Sequence, residues 1–102
     1  QWHSAEVVEI PDGFEILASS DRCVIQALKW GTRAYSVQFH LEAEFETVKN
    51  WSAIPEYSRA LTSAMGADGA RILERDCINE MVNFNKSAER VYMNWLQASA
   101  CV

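Results

Sequence analysis

A histidine and a glutamate stand two residues apart in Gln38-Phe39-His40-Leu41-Glu42. The segment follows the apolar run Ala34-Tyr35-Ser36-Val37 and reads as the end of a strand. In extended backbone, residues two apart share a face. Glu42 can then accept a hydrogen bond from one ring nitrogen of His40 and leave the other as a proton acceptor. That is the base and orienting acid of a catalytic triad. The third member, a nucleophile, must come from elsewhere. Cys23 sits in Asp-Arg-Cys-Val-Ile, Cys77 in Arg-Asp-Cys-Ile-Asn, and Cys101 beside the last residue. A nucleophile elbow needs small flanking residues to expose its sulfur, and these flanks are bulky or charged. The three read as core or surface thiols, and the nucleophile is expected outside this chain.

Taken alone, His-x-Glu recurs by chance, most often around a structural histidine. Zinc deaminases also carry it, but they complete their site with Pro-Cys-x-x-Cys, and no Cys-x-x-Cys occurs here. A zinc site from His3, His40 and Glu42 lacks any recognised ligand spacing, so no metal and no cofactor are expected.

The elements that must position these residues change character along the chain. Val7–Ile10 is β-prone and stops at Pro11-Asp12-Gly13, a strong turn signal. Phe14–Ala18 and Cys23–Trp30 follow as strands, Gly31-Thr32 supplies a hairpin turn, and Ala34–Phe39 is the fourth strand. Connections this short make antiparallel neighbours, because a parallel crossover needs about a dozen residues. After Glu42 the period becomes helical. Phe45, Val48 and Trp51 share one face of a short helix. Pro55 opens a second helix, with Tyr57, Ala60, Leu61, Ala64 and Met65 inward and Gly66 as its stop. Asp68 can cap a third, whose stripe runs Ala70, Leu73, Cys77, Met81, Phe84, Ala88, Val91 and Trp95. Asn83, Asn85 and Ser87 weaken its middle, where a break is expected. Phe45, Trp51, Phe84 and Trp95 are expected in the core.

The chain has 102 residues, 49% of them apolar, enough for a packed core. A formal charge of −5 and scattered basic residues argue against a nucleic-acid surface. No stretch approaches the roughly 18–20 apolar residues of a membrane span. An odd number of widely spaced cysteines favours reduced thiols and a cytoplasmic setting. A first residue other than Met, and a strand-rich half followed by a helical half with no βαβ unit, predict a piece of a larger domain.

Five segments strengthen the His40–Glu42 reading: Trp2-His3-Ser4, Ile10-Pro11-Asp12-Gly13-Phe14, Leu17-Ala18-Ser19-Ser20, Cys23-Val24-Ile25-Gln26-Ala27 and Val37-Gln38-Phe39-His40-Leu41-Glu42. In order and spacing they resemble the C-terminal half of class I (triad-type) glutamine amidotransferases. There a Trp/Ser-His-Gly-Asp segment precedes Leu-Pro-x-Gly, Leu-Ala-Ser-Ser and Gln-Ala, and the domain closes on Gly-x-Gln-Phe-His-Pro-Glu. The resemblance spans residues 2 to about 51. It implies an α/β fold: the C-terminal part of a three-layer domain, four mostly antiparallel strands followed by helices. Residues 1–42 would carry the strands and the His/Glu motif, and 43–102 the helical C-terminal portion, together a partial amidotransferase-like domain.

By the resemblance, His40 is the general base, Glu42 its orienter, and His3, Ser4 and Ala5 line the glutamine. The nucleophilic cysteine of a Gly-x-Cys-x-Gly elbow lies upstream of all these segments. Implied partners are glutamine, a missing N-terminal half or a synthetase, and a homo-oligomer is compatible; nucleic acid and membrane are not expected. Leu41 replaces the family's Pro, Ser36 a Gly, and Ser4-Ala5 a Gly-Asp whose backbone approaches the substrate. The Cβ of Ser4 narrows that approach. The alternative function is a non-catalytic amidotransferase-like binding or regulatory module.

Overall fold

The computed structural model describes residues 2–100. Cys101 lies outside them, so the reading of its thiol does too. The elements are β1 (Phe14–Ser20), β2 (Cys23–Trp30), β3 (Ala34–Val37), α1 (Thr47–Ser52), α2 (Pro55–Met65) and α3 (Gly69–Ala100). This is α/β: one antiparallel sheet in the order β1-β2-β3, then helices. Two units are distinct, residues 1–40 with 91–102, and residues 41–90.

In the first unit, the central strand β2 supplies the core. Cys23, Ile25, Ala27 and Leu28 are buried there together with the polar Gln26. The turn before β1 depends on Gly13, whose φ of 91° suits a residue without a Cβ. β1 pairs with β2 through Phe14↔Trp30, Glu15↔Lys29 and Ile16↔Leu28, then slips in register on both sides of Ala18 before Ser20↔Cys23. Lys29 Nζ meets Glu15 Oε2 across the pair at 3.0 Å. β2 and β3 keep an even register from Trp30↔Ala34 to Ala27↔Val37.

Three strands replace the four expected. Val7–Ile10 belongs to no strand, and Val8 is 82% exposed. β-propensity is realised only where a ladder partner and a packed face exist, and this segment pairs with no strand among the described residues. The last strand also ends earlier than expected. After Val37 the chain bends at Phe39, and Leu41 and Glu42 lie on bends. The period-two rule that aligned His40 with Glu42 therefore has no extended backbone to act on.

In the second unit, α2 begins at Pro55 and ends at Gly66 (φ 83°), whose N–H donates to the Thr62 carbonyl at 2.8 Å. Only Leu61 of the predicted inward face of α2 is buried; Tyr57, Ala60, Ala64 and Met65 are exposed. Val48 of α1 and Met81 of α3 are also buried. Gly69, at the start of α3, approaches α2 so closely that a Cβ there would meet Met65 Cβ at 2.8 Å and the Leu61 carbonyl at 3.2 Å. α3 runs unbroken through Asn83, Asn85 and Ser87. Asn83 donates to Glu80 Oε2 at 2.7 Å, which occupies the amide that would compete for backbone. A propensity deficit of a few tenths of a kcal/mol per residue does not interrupt a cooperative helix. Two aromatics leave the expected core: Phe45 precedes α1 and is 59% exposed, and Trp95 is 54% exposed, while Trp51 and Phe84 are half-buried. No helix among the described residues is long and apolar enough to cross a membrane.

Candidate functional site

Ser20, at the end of β1, closes the hairpin with its side chain. Its Oγ accepts from the Cys23 N–H at 3.2 Å and lies 3.3 Å from the Cys23 carbonyl, to which the hydroxyl donates. It also accepts from Gln26 Nε2 at 3.1 Å. Gln26 Oε1 is buried and meets no donor among the described residues, so the Nε2 end is the one that is tied.

One register step past the last ladder pair, the Gln38 N–H donates to the Gln26 carbonyl at 2.9 Å. That bond extends the β2–β3 pairing to within two residues of His40. The Gln38 side chain works in two directions. Its Nε2 donates to the Ala5 carbonyl at 3.4 Å, and its Oε1 lies 3.9 Å from the Cys23 thiol. Only one orientation of the amide fits, because the Ala5 carbonyl can only accept and so must face the NH₂ group.

The Ala5 carbonyl has a second donor, His3 Nδ1, at 2.7 Å. A carbonyl only accepts, so Nδ1 carries a proton. The turn of His3, Ser4 and Ala5 is thereby joined to the segment that leads into His40. Ser4 and Ala5 are exposed, while His3, Gln38, Phe39 and His40 are half-buried. These six belong to one unit and Glu42 belongs to the other, on its own exposed bend.

The profile of class I glutamine amidotransferases matches residues 1–50, the stretch that holds both the 3–5 turn and the His40–Glu42 segment. Residues 1–50 of this chain belong to the class I glutamine amidotransferase family. A glutamine-hydrolyzing GMP synthase subunit from Methanocaldococcus jannaschii is 43% identical to it over 61 residues, 54% of this chain and 32% of that protein. The corresponding subunit from Methanosphaera stadtmanae is 49% identical over 43 residues, 41% of this chain and 23% of that protein. A putative glutamine-hydrolyzing GMP synthase from Chlamydia pneumoniae is 24% identical over 100 residues, 92% of this chain and 23% of that protein. The amidotransferase chain thus spans a third or less of the curated relatives it matches. No solved structure matches it.

Neither described thiol has the setting of an amidotransferase nucleophile. Cys23 is buried at the start of β2, with its Sγ 3.4 Å from the Ile25 carbonyl. Cys77 lies within α3, where burial pushes its thiol pKa up and the adjacent Asp76 carboxylate adds to the rise. Either effect reduces the thiolate needed for attack. Among the described residues no three His, Cys, Asp or Glu side chains form a group that could hold a metal ion. A shallow cavity of about 170 Å³, lined by Arg33, Tyr35, Trp95, Ala98 and Ser99, holds none of the predicted site residues.

Sequence reasoning assigned no role to Gln38, Gln26 or Ser20. The available signal was polarity: Gln26 interrupts the apolar run Cys23-Val24-Ile25, and Gln38 follows Val37. A polar side chain inside such a run has to find a partner when it is buried.

Proposed function

We propose that this chain is the C-terminal portion of a glutamine amidotransferase that hydrolyses glutamine to glutamate and ammonia with a Cys-His-Glu triad. The supporting observation is the Ala5 carbonyl shared by His3 and Gln38, which brings the 3–5 turn beside the segment ending in His40. Both fall within the stretch that matches the family.

In this reading the nucleophilic cysteine is supplied from outside the chain. Its thiolate attacks the side-chain amide carbon of glutamine, and backbone N–H groups near the elbow hold the oxyanion. His40 gives a proton to the departing nitrogen, ammonia leaves, and a glutamyl thioester remains. His40 then takes a proton from water, whose oxygen attacks the thioester and releases glutamate and the thiol. Glu42 holds the imidazole in its productive tautomer and stabilises the imidazolium. His3, Ser4 and Ala5 contact the substrate. The names of the relatives favour a GMP-forming synthetase as the consumer of the ammonia. The thiols and the family's chemistry favour a cytoplasmic setting.

The test uses the assembly that contains this chain, the elbow cysteine and the synthetase. His40→Ala should abolish product formation with glutamine, while an ammonium salt should restore it, because only ammonia generation is lost. Glu42→Gln should be milder, although loss of a triad's acid can cost up to about four orders of magnitude. The chain by itself should release no glutamate. Wild-type glutamine-dependent rates in His40→Ala would reduce His40 to a structural histidine. The non-catalytic alternative draws on Ser4, whose Cβ stands where the family has glycine. It predicts no glutaminase activity even beside an elbow cysteine.

A further inference from the structure

We infer that Gln38 is a positioning residue: it sets the 3–5 turn against the base-bearing segment and thereby governs how tightly glutamine is held. The inference rests on the amidotransferase reading above. Three pieces of chain meet at this one side chain. Its own backbone is pinned to β2 through the Gln26 carbonyl at 2.9 Å, so the amide starts from a fixed point. Nε2 reaches the turn at the Ala5 carbonyl, and Oε1 faces the buried Cys23 thiol. The Ala5 end is what fixes the amide's orientation. A carbonyl only accepts, so the NH₂ group must point at the turn and Oε1 away from it.

His3 already donates to the same carbonyl at 2.7 Å, but from within the turn, only two residues away. That bond shapes the turn without locating it. Gln38, thirty-three residues along the chain, makes a contact that does locate it. The Ala5 oxygen is then engaged by two protein donors, which leaves the turn's N–H groups and side chains as its means of holding a substrate.

Two near-isosteric substitutions separate the donor from its shape. Gln38→Met removes the hydrogen bonds, and Gln38→Glu puts a carboxylate oxygen against the Ala5 carbonyl. In the complete assembly, Gln38→Met should raise KM for glutamine roughly three- to tenfold, the factor lost with one neutral hydrogen bond, with kcat nearly unchanged. Gln38→Glu should raise it further, because two acceptors then face each other. Ammonium-dependent rates should match wild type in both. Hydrogen exchange of the amides at residues 4–6 should quicken in Gln38→Met while the β2 amides keep their protection. That measurement also shows that the sheet is intact.

His40→Ala is measured alongside. Retention of glutamine-dependent turnover in His40→Ala would remove the functional reading and this role with it. If His40→Ala is inactive while both Gln38 variants keep wild-type KM, only the positioning role falls. A fall in kcat at unchanged KM would also overturn it.

Discussion

Gly69→Ala adds one methyl group at the closest approach between α2 and the start of α3. The new Cβ would lie 2.8 Å from Met65 Cβ, against an optimal carbon–carbon separation of about 3.5–4.0 Å. The shortfall is at least about 0.7 Å by that measure. Met65 Cβ is bonded directly to the helix backbone and cannot rotate aside. The second neighbour, the Leu61 carbonyl at 3.2 Å, is backbone as well. Relief therefore requires the last turn of α2 to move, and overpacking of this kind costs about 1–3 kcal/mol. Alanine returns at most about 1 kcal/mol of helix propensity, and less at a first helical position. The net expectation is destabilisation by about 1–2 kcal/mol, a fall in Tm of roughly 5–15 °C for a chain of this size. Thermal denaturation followed by far-UV circular dichroism, at one protein concentration, reads it directly. Gly31→Asn is the control: no atom lies within 4 Å of its added Cβ, and its φ of 60° is one that asparagine tolerates. It should shift Tm only slightly. A Gly69→Ala protein as stable as wild type would refute the packing argument.

Two further outcomes follow from exposure and charge. Phe14, Ile16, Leu17, Trp30, Tyr35 and Val37 are all more than a third exposed around a sheet whose outer strands are β1 and β3. The chain should therefore self-associate or require a partner at micromolar concentration; a monodisperse monomer by light scattering would contradict this. Cys77 should react with iodoacetamide more slowly in the native chain than in urea, because its raised pKa leaves less thiolate. The sign for stability is equally fixed: the contribution is intact below the ordinary thiol pKa of about 8.5 and is lost as pH climbs through the raised native value. Equal native and denatured rates in peptide mapping would show that the thiol is not shielded.

Local signals told most of the fold. Gly31 marked the β2–β3 hairpin, Pro55 the start of α2 and Gly66 its end, because each residue type has a conformational reason to stand there. What failed depended on distant partners. Val7–Ile10 has the composition of a strand but no ladder to join among the described residues. The burial of Phe45 and Trp95 was inferred from periodicity, which reports a face and not whether anything covers it. At the candidate site, the His40–Glu42 spacing was legible, but the bend at Phe39 was not. The contact between Gln38 and Ala5 joins residues far apart in sequence, so no window along the chain contains it.

The two register slips between β1 and β2 bear on how this chain tolerates changes in length. The first puts the extra residue in β1 and the second puts the longer stretch in β2, so a residue inserted or deleted near Ala18 alters an irregularity that already exists. β3 has no such slack. From Ala34 to Val37 its pairing is even, and Gln38 follows in step. One residue lost in that run would put Phe39 where Gln38 stands, and one gained would put Val37 there. Between the hairpin and His40, the number of residues is held more tightly than their identity, Gln38 excepted.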